Sequence, residues 1–317
     1  MKPCFAIIMP VYNRERFIEN ALQSVAAQSY RPIRLIIADN GSTDNSMQVA
    51  HNFRDKHSTD DFEIIITEEE KPGACAARNR GLKEAGCDYL MFFDDDDLLA
   101  PDAVSRIMDV FTTESPDIVG FTAKYRSEGK EILKKHCFTS DPADQINHCM
   151  LATQCFAVKK EFLEKSDILW DEELMRWQDW NLGICMLLAK PTLMWIKSPA
   201  LVTINTHGDS ISGKGFLHSE KELEKAVLKT AETVNNSRDL LKEKYKKLIY
   251  SRLVILAAHY RREGDKSAAK RSLSLYMNKI QNNNTLKLLS YVIYLYTAWG
   301  GRGGGKIFKI VFNASSE

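Results

Sequence analysis

Residues 89–97 read YLMFFDDDD, and the interpretation of the whole chain turns on them. The apolar run Tyr89–Phe93 has the length of one strand and no polar alternation, as in a strand covered on both faces. Four consecutive carboxylates, Asp94–Asp97, close it. Adjacent acids repel at short range unless a cation offsets them. Their hard oxygens suit Mg²⁺ or Mn²⁺ better than zinc. Alternate residues of an extended chain face one way, so Asp94 and Asp96 can share a site. The competing reading is an acidic cap for a helix starting near Pro101-Asp102. One acid would satisfy that role, and the run has four.

Upstream, the same kind of strand recurs. Phe5–Met9 (FAIIM) ends at Pro10, Arg34–Ala38 (RLIIA) runs into DNGSTDNS, and Glu63–Thr67 (EIIIT) runs into KPG. Between them lie helical patterns: a face of Phe17, Leu22 and Val25, a helix capped at Thr43 or Asp44, and Ala74–Ala85 stopped by Gly86. Strands apolar on both faces and separated by helices predict a parallel, doubly covered sheet over residues 1–120. Ligands of such sheets bind beyond the carboxyl ends of the strands. Those ends supply Pro10-Val11-Tyr12-Asn13-Arg14, then Asp39-Asn40-Gly41-Ser42, then Lys71-Pro72-Gly73 leading to Arg78-Asn79, and finally Asp94–Asp97.

Residues 120–212 are less regular, with strands expected near Gln154–Val158 and Thr192–Ile196 and a helix over Trp177–Leu188. From Phe216 the pattern is helical, in segments Lys221–Lys247, Leu248–Arg262 and Lys266–Ile280, broken at Gln281–Asn284. The predicted organisation is an α/β domain over 1–212 (1–120 and 121–212) and a basic helical region over 213–317.

The composition fits. The 317 residues are 44% hydrophobic and 27% charged with a net charge of +1, which excludes fibrous, disordered and generally nucleic-acid-binding classes. The balance is uneven: residues 213–317 carry 20 Lys/Arg against 9 Asp/Glu, leaving the rest of the chain acidic. Seven cysteines show no CxxC pair or metal-ligand spacing, so buried free thiols in a reducing compartment are expected. No signal-like leader and no long apolar stretch is present, so the expected location is cytoplasmic.

In this order and spacing PVYN (10–13), ADNGSTDNS (38–46), GACAARNRGL (73–82) and FFDDDDLLAPDA (92–103) resemble the nucleotide-binding half of family 2 glycosyltransferases. The resemblance implies a GT-A fold, α/β with a Rossmann-like mixed sheet flanked by helices, here extended by C-terminal helices. It implies inverting transfer of a sugar from a nucleotide diphosphate, usually uridine, to an acceptor hydroxyl by single displacement. Pro10, Tyr12, Asp39, Arg78, Asp94 and Asp95 would then surround the nucleotide sugar. Tyr12 and Asp39 would meet the base, Arg78 the base or diphosphate, and Asp94 the ribose. Asp96 would ligate Mn²⁺ or Mg²⁺ through the family's D-x-D, and Asp97 matches the second acid of its D-x-D-D form. Asn40 departs from the pattern, since many members carry a second Asp there.

A weaker likeness follows. Arg176-Trp177-Gln178-Asp179-Trp180 stands where members carry Glu-Asp at a helix start, so Asp179 is the expected general base, with Gln178 replacing Glu. As a helix cap, Asp179 would have a purely structural role. His207 in NTHGDSIS resembles a late His-x-x-Ser-x-Ser loop that can complete the metal shell. Trp177 and Trp180 can stack on sugar or fill the core. Leu286–Trp299 (LKLLSYVIYLYTAW) followed by GGRGGGKIFK suits a membrane surface, a packed amphipathic helix or an oligomer contact. A saccharide or lipid-linked saccharide at the inner face of a membrane is the expected acceptor. The alternatives are a nucleotide-sugar binder without turnover and a sugar-nucleotidyltransferase, whose Gly-rich loop PVYNRERF lacks.

Overall fold

The computed structural model describes residues 2–127, 129–134, 138–206, 219–280 and 283–314. The chain forms two compact units, Met1–Ser140 with Met150–His207, and Asp141–Cys149 with Gly208–Glu317.

The first unit opens with β1 (Phe5–Val11), α1 (Ile18–Ala26), β2 (Ile33–Asp39), α2 (Ser46–His57), β3 (Phe62–Glu68), α3 (Ala74–Glu84) and β4 (Tyr89–Phe92). After β5 (Leu98–Leu99), α4 (Ala103–Glu114), β6 (Ile118–Phe121), β7 (Ala123–Ser127) and β8 (Lys130–Leu133), the chain passes through α5 (Pro142–His148), which belongs to the second unit. It returns as β9 (Phe156–Lys159), α6 (Lys160–Lys165), α7 (Gln178–Leu188), β10 (Leu193–Ile196) and β11 (Val202–Asn205). The second unit adds α8 (Glu220–Asn236), α9 (Lys242–Arg262), α10 (Lys266–Lys279), α11 (Asn284–Ala298) and α12 (Gly304–Ala314).

Seven strands form a mixed sheet in the order β10-β6-β9-β4-β1-β2-β3. The four strands read from sequence, β4-β1-β2-β3, are mutually parallel, and β9 joins antiparallel. Every residue of β1 is buried, because helices cover both faces. The chain runs β1, β2, β3 outward and then crosses back to lay β4 on the other side of β1. That reversal is the place where open α/β sheets hold ligands.

Pro10 does not end its strand, which continues to Val11. Ile8 accepts from the Phe93 amide on the β4 side, and Pro10, two residues on, faces that side beyond the last β1–β4 pair. No donor is needed there, so proline's missing N–H costs nothing. On the covering helix, a Cβ at Gly81 would run into the Ile8 side chain, so glycine lets α3 approach β1 closely.

Two further expectations are corrected. The helix expected over Lys221–Lys247 is interrupted: α8 ends at Asn236 and α9 begins at Lys242. Asn235-Asn236-Ser237 stops it, with the Ser237 hydroxyl donating back to the Val234 carbonyl at 2.7 Å. The cysteines are not all free, because Cys4 and Cys87 form a disulfide with Cα atoms 5.2 Å apart. Cys4 precedes β1 and Cys87 precedes β4, and the parallel register Phe5↔Tyr89 brings together residues 83 apart in sequence. Cys75, Cys149, Cys155 and Cys185 are free thiols, and Cys137 lies outside the described residues.

Candidate active site

The carboxyl ends of β1, β2 and β4 bring three loops together. After β1, Tyr12 stands 58% exposed and Asn13 takes a left-handed φ of 54°. That turn aims the Asn13 side chain at the loop after β2, where its Oδ1 accepts from the Thr43 amide at 2.8 Å. The Asn13 and Arg14 amides donate in return to the hydroxyls of Ser42 (3.1 Å) and Ser46 (2.6 Å). Asp39 is buried at the end of β2, and its carboxylate accepts from the Ser42 amide. Asp44 Oδ1 accepts from the Ser46 amide at 2.9 Å, serving the start of α2 from two residues ahead.

Asn40, a departure from the family pattern, has a local reason. Its Nδ2 donates to the carbonyls of Glu69 (2.9 Å) and Lys71 (2.8 Å), and its Oδ1 accepts from the Gly73 amide at 2.6 Å. A carboxylate offers no donor, so Asp could not hold this loop in the same way.

The acid run divides its tasks. Asp94 Oδ1 pairs with Arg78 at 2.8 Å, and its Oδ2 accepts from the Gln154 side chain. Asp95 is buried against Arg14 at 3.2 Å. Burial pushes its carboxyl well above the usual range, Asp96 adds to the shift, and Arg14 opposes it. Asp97 is the most buried of the four. Burial and the neighbouring Asp96 and Asp94 likewise push it well above the usual range, against the Asn205 amide that donates to Oδ1 at 2.9 Å. Its Oδ2 is buried with no hydrogen-bond partner among the described residues. Asp96 is only partly buried and lines a cleft of about 330 Å³ with Phe17, Asn20, Arg126, Asn205 and Thr206.

Among the described residues no group of three or more His, Cys, Asp or Glu side chains could by itself hold a metal ion. Magnesium-like ions are commonly held by one or two carboxylates together with substrate phosphates, so the donor set here fits such an ion. The cleft presents Asp96, and the adjacent Asp97 keeps one buried carboxylate oxygen without a hydrogen-bond partner among the described residues. His207 lies outside the described residues.

Arg78 connects this acid run to Gln178, the residue before the expected base. It is buried in α3, its Nη2 donates to Asp94, and its Nη1 donates to Gln178 Oε1 at 2.9 Å. The guanidinium lies 4.5 Å from the centre of the Trp170 ring. Burial, the largest single influence, works against its charge, but its neighbours, led by Asp94 and including Asp179, together outweigh it, so its pKa is raised. Gln178 also donates to the Leu174 carbonyl at 2.8 Å. Glutamate in its place could not make that bond and would set two acids on one arginine.

Asp179 follows in the first turn of α7, where its Oδ1 accepts from the Trp180 amide at 2.8 Å. Trp180 is core and Trp177 is only half buried, their ring centroids 5.3 Å apart. Trp177 caps the helix with a φ of 55°, a conformation that strains a non-glycine residue. The segment before it is clasped to α3. Asn79 donates to Glu172 at 2.8 Å and to the Trp170 carbonyl at 3.0 Å, while Lys71 donates to Glu172 at 2.6 Å.

The structure therefore joins Arg78 to Asp94 and Arg14 to Asp95, turns Asp96 to a cleft, and buries Pro10 within β1. Sequence reasoning missed Gln154 and Asn205, which reach the acid run from more than 50 residues away. Nothing around either residue marks it.

The sequence profile of glycosyl transferase family 2 matches residues 6–171. A glycosyltransferase of unassigned activity from Haemophilus influenzae is 40% identical over 104 residues, which is 33% of this chain and 40% of that relative. A Campylobacter jejuni protein named GalNAc(5)-diNAcBac-PP-undecaprenol beta-1,3-glucosyltransferase is 29% identical over 106 residues, 33% of this chain and 34% of its own length. The chain thus matches less than half the length of either relative. Among solved structures, S. aureus TarS 1–349 in complex with UDP aligns over 92% of this chain and 89% of its own, at 16% identity and a TM-score of 0.65. The mannosyltransferase PcManGT from Pyrobaculum calidifontis, in complex with GDP-Man and Mn²⁺, aligns over 94% and 81% at 16% identity and a TM-score of 0.56. The fold is thus shared across this group, and with the family profile covering just over half of its length, the chain belongs to glycosyl transferase family 2.

Proposed function

We propose that this protein transfers a sugar from a nucleotide diphosphate, with UDP the expected carrier, to an acceptor hydroxyl with inversion at the anomeric carbon. The carrying observation is Arg78, which bonds both Asp94 at the end of β4 and Gln178, the residue before Asp179. One buried cation thereby ties the donor-side acid run to the helix that presents the base. The TarS structures bound to UDP and to UDP-GlcNAc support the choice of nucleotide.

In this reading Tyr12 and Asp39 receive the base, Asp94 the ribose, and Pro10, Arg78 and Asp95 shape the walls. Asp179 takes the proton of the acceptor hydroxyl as its oxygen bonds to the anomeric carbon. The bond from that carbon to the diphosphate breaks, and its electron pair leaves with the diphosphate. Base catalysis of this kind contributes roughly 10²–10⁴-fold. Trp177, beside Asp179, offers an apolar ring to the acceptor sugar. Asp96 would hold Mn²⁺ or Mg²⁺ with the diphosphate, and His207 would join it. When bound, such an ion supplies charge neutralisation to the departing diphosphate. The acceptor in this reading is a saccharide or lipid-linked saccharide, the latter in line with the name of the C. jejuni relative. It would be met on the cytoplasmic side of a membrane, in polysaccharide or glycolipid synthesis.

Calorimetric titration with UDP and GDP, in Mn²⁺ and then in chelator, tests the donor site. Metal-dependent UDP binding that Asp96→Ala abolishes is expected. A folded protein that binds no nucleotide would overturn the proposal.

A further inference from the structure

The second unit presents a surface that sugar transfer does not use. α11 buries Leu286, Ser290, Ile293 and Thr297 on one face. On the other, Leu288 is 68%, Val292 54% and Trp299 87% exposed, with Tyr291 between them also exposed. These positions recur at helical spacing, so they form one apolar stripe roughly 16 Å long. α12 adds Ile310, 68% exposed.

The segment that carries the stripe is basic, although its Lys309 is paired with Asp144 and Asp141 of α5. Residues 266–316 contain 8 Lys/Arg and no Asp or Glu. At the start of α11 lies a cleft of about 400 Å³ whose lining includes Lys246, Lys247, Lys279, Tyr250 and Glu243, three cations against one acid that pairs with Lys246 at 3.1 Å. The Lys279 ammonium stands 5.6 Å from the centre of the Tyr250 ring, which keeps a cation at its mouth.

We infer that α11 and α12 lie in the plane of an anionic lipid bilayer, with Leu288, Val292 and Trp299 entering the acyl boundary and the lysine cleft meeting lipid phosphates. Charge complementarity selects this occupant. A second copy docked face to face on the same stripe would set like charges against each other, whereas an anionic leaflet sets opposite charges. Tyrosine and tryptophan are the side chains favoured at the headgroup level. No helix among the described residues is long and apolar enough to cross a membrane, so the stripe can only lie along one. The inference rests for its purpose on the lipid-linked acceptor proposed above, but the two are tested separately.

The test is flotation of the full chain with vesicles of phosphatidylcholine alone and of phosphatidylcholine mixed with phosphatidylglycerol, at low and high salt. Binding to the anionic vesicles only, weakening with salt, is expected. Leu288→Glu/Val292→Glu should reduce it about tenfold or more through lost apolar burial, and Lys279→Ala about fivefold. These side chains are exposed, so the variants should keep the wild-type circular dichroism and UDP affinity. No flotation of the folded chain at low salt would overturn the inference. So would flotation unchanged in the double variant, or a concentration-dependent dimer that the double variant disperses in place of vesicle binding. Flotation without UDP binding would instead remove the nucleotide reading and leave this one standing.

Discussion

Arg78 Nη1 donates to Gln178 Oε1 across 2.9 Å, which makes the residue before the proposed base a fixed acceptor for a buried cation. The Gln178 amide uses both ends, accepting from Arg78 and donating to Leu174. A charge-for-amide change here removes a donor and adds an acid.

Gln178→Glu should therefore lower stability by about 1–3 kcal/mol, the cost of leaving a buried polar group unsatisfied. The Leu174 carbonyl keeps only the weak Cys75 thiol as donor, and Asp94 competes with the new carboxylate for Arg78. Urea unfolding of the two proteins measures it; a variant as stable as wild type would show that the amide is not structurally required.

Asn40→Asp follows the same logic at the donor loop. Two donated bonds, to the Glu69 and Lys71 carbonyls, disappear together. A loss of about 1–3 kcal/mol is expected, with faster amide hydrogen exchange over residues 69–73 than in wild type. Unchanged exchange there would contradict the role assigned to the amide.

Glu172 gives a pH dependence of defined sign. The hydrogen bonds from Asn79 and Lys71 hold its carboxyl below the ordinary 4.5. Its stabilisation is complete above that value and is lost as pH falls through the lower folded value. Glu172→Gln should therefore lose stability relative to wild type at neutral pH, and the difference should shrink on acidification below 4.5. Chemical denaturation across that window checks it; a gap that widens toward acid would contradict the assignment.

Much of the sheet was legible because β1, β2 and β4 are apolar on both faces, and only a doubly covered strand tolerates that. The acid run was legible for the opposite reason, since four carboxylates at a strand end conflict with simple packing. What remained hidden depends on register or on distant chain. Cys4 meets Cys87 only because β1 and β4 run parallel in one register. Gln154 and Asn205 reach the acid run by tertiary folding alone. The break between α8 and α9 was lost because apolar periodicity resumes on both sides of Asn235–Ser237. Asn40 and Gln178 read in sequence as departures from a pattern, and the structure gives each an amide's work to do.

The most direct test of the mechanism separates donor binding from chemistry at Asp179. With a UDP-sugar that the wild-type protein turns over, Asp179→Asn should lower the transfer rate by roughly 10²–10⁴-fold, the contribution of a general base, while UDP affinity stays at the wild-type value. Turnover that survives the substitution, or UDP binding that disappears with it, would contradict the assignment of Asp179 as the base.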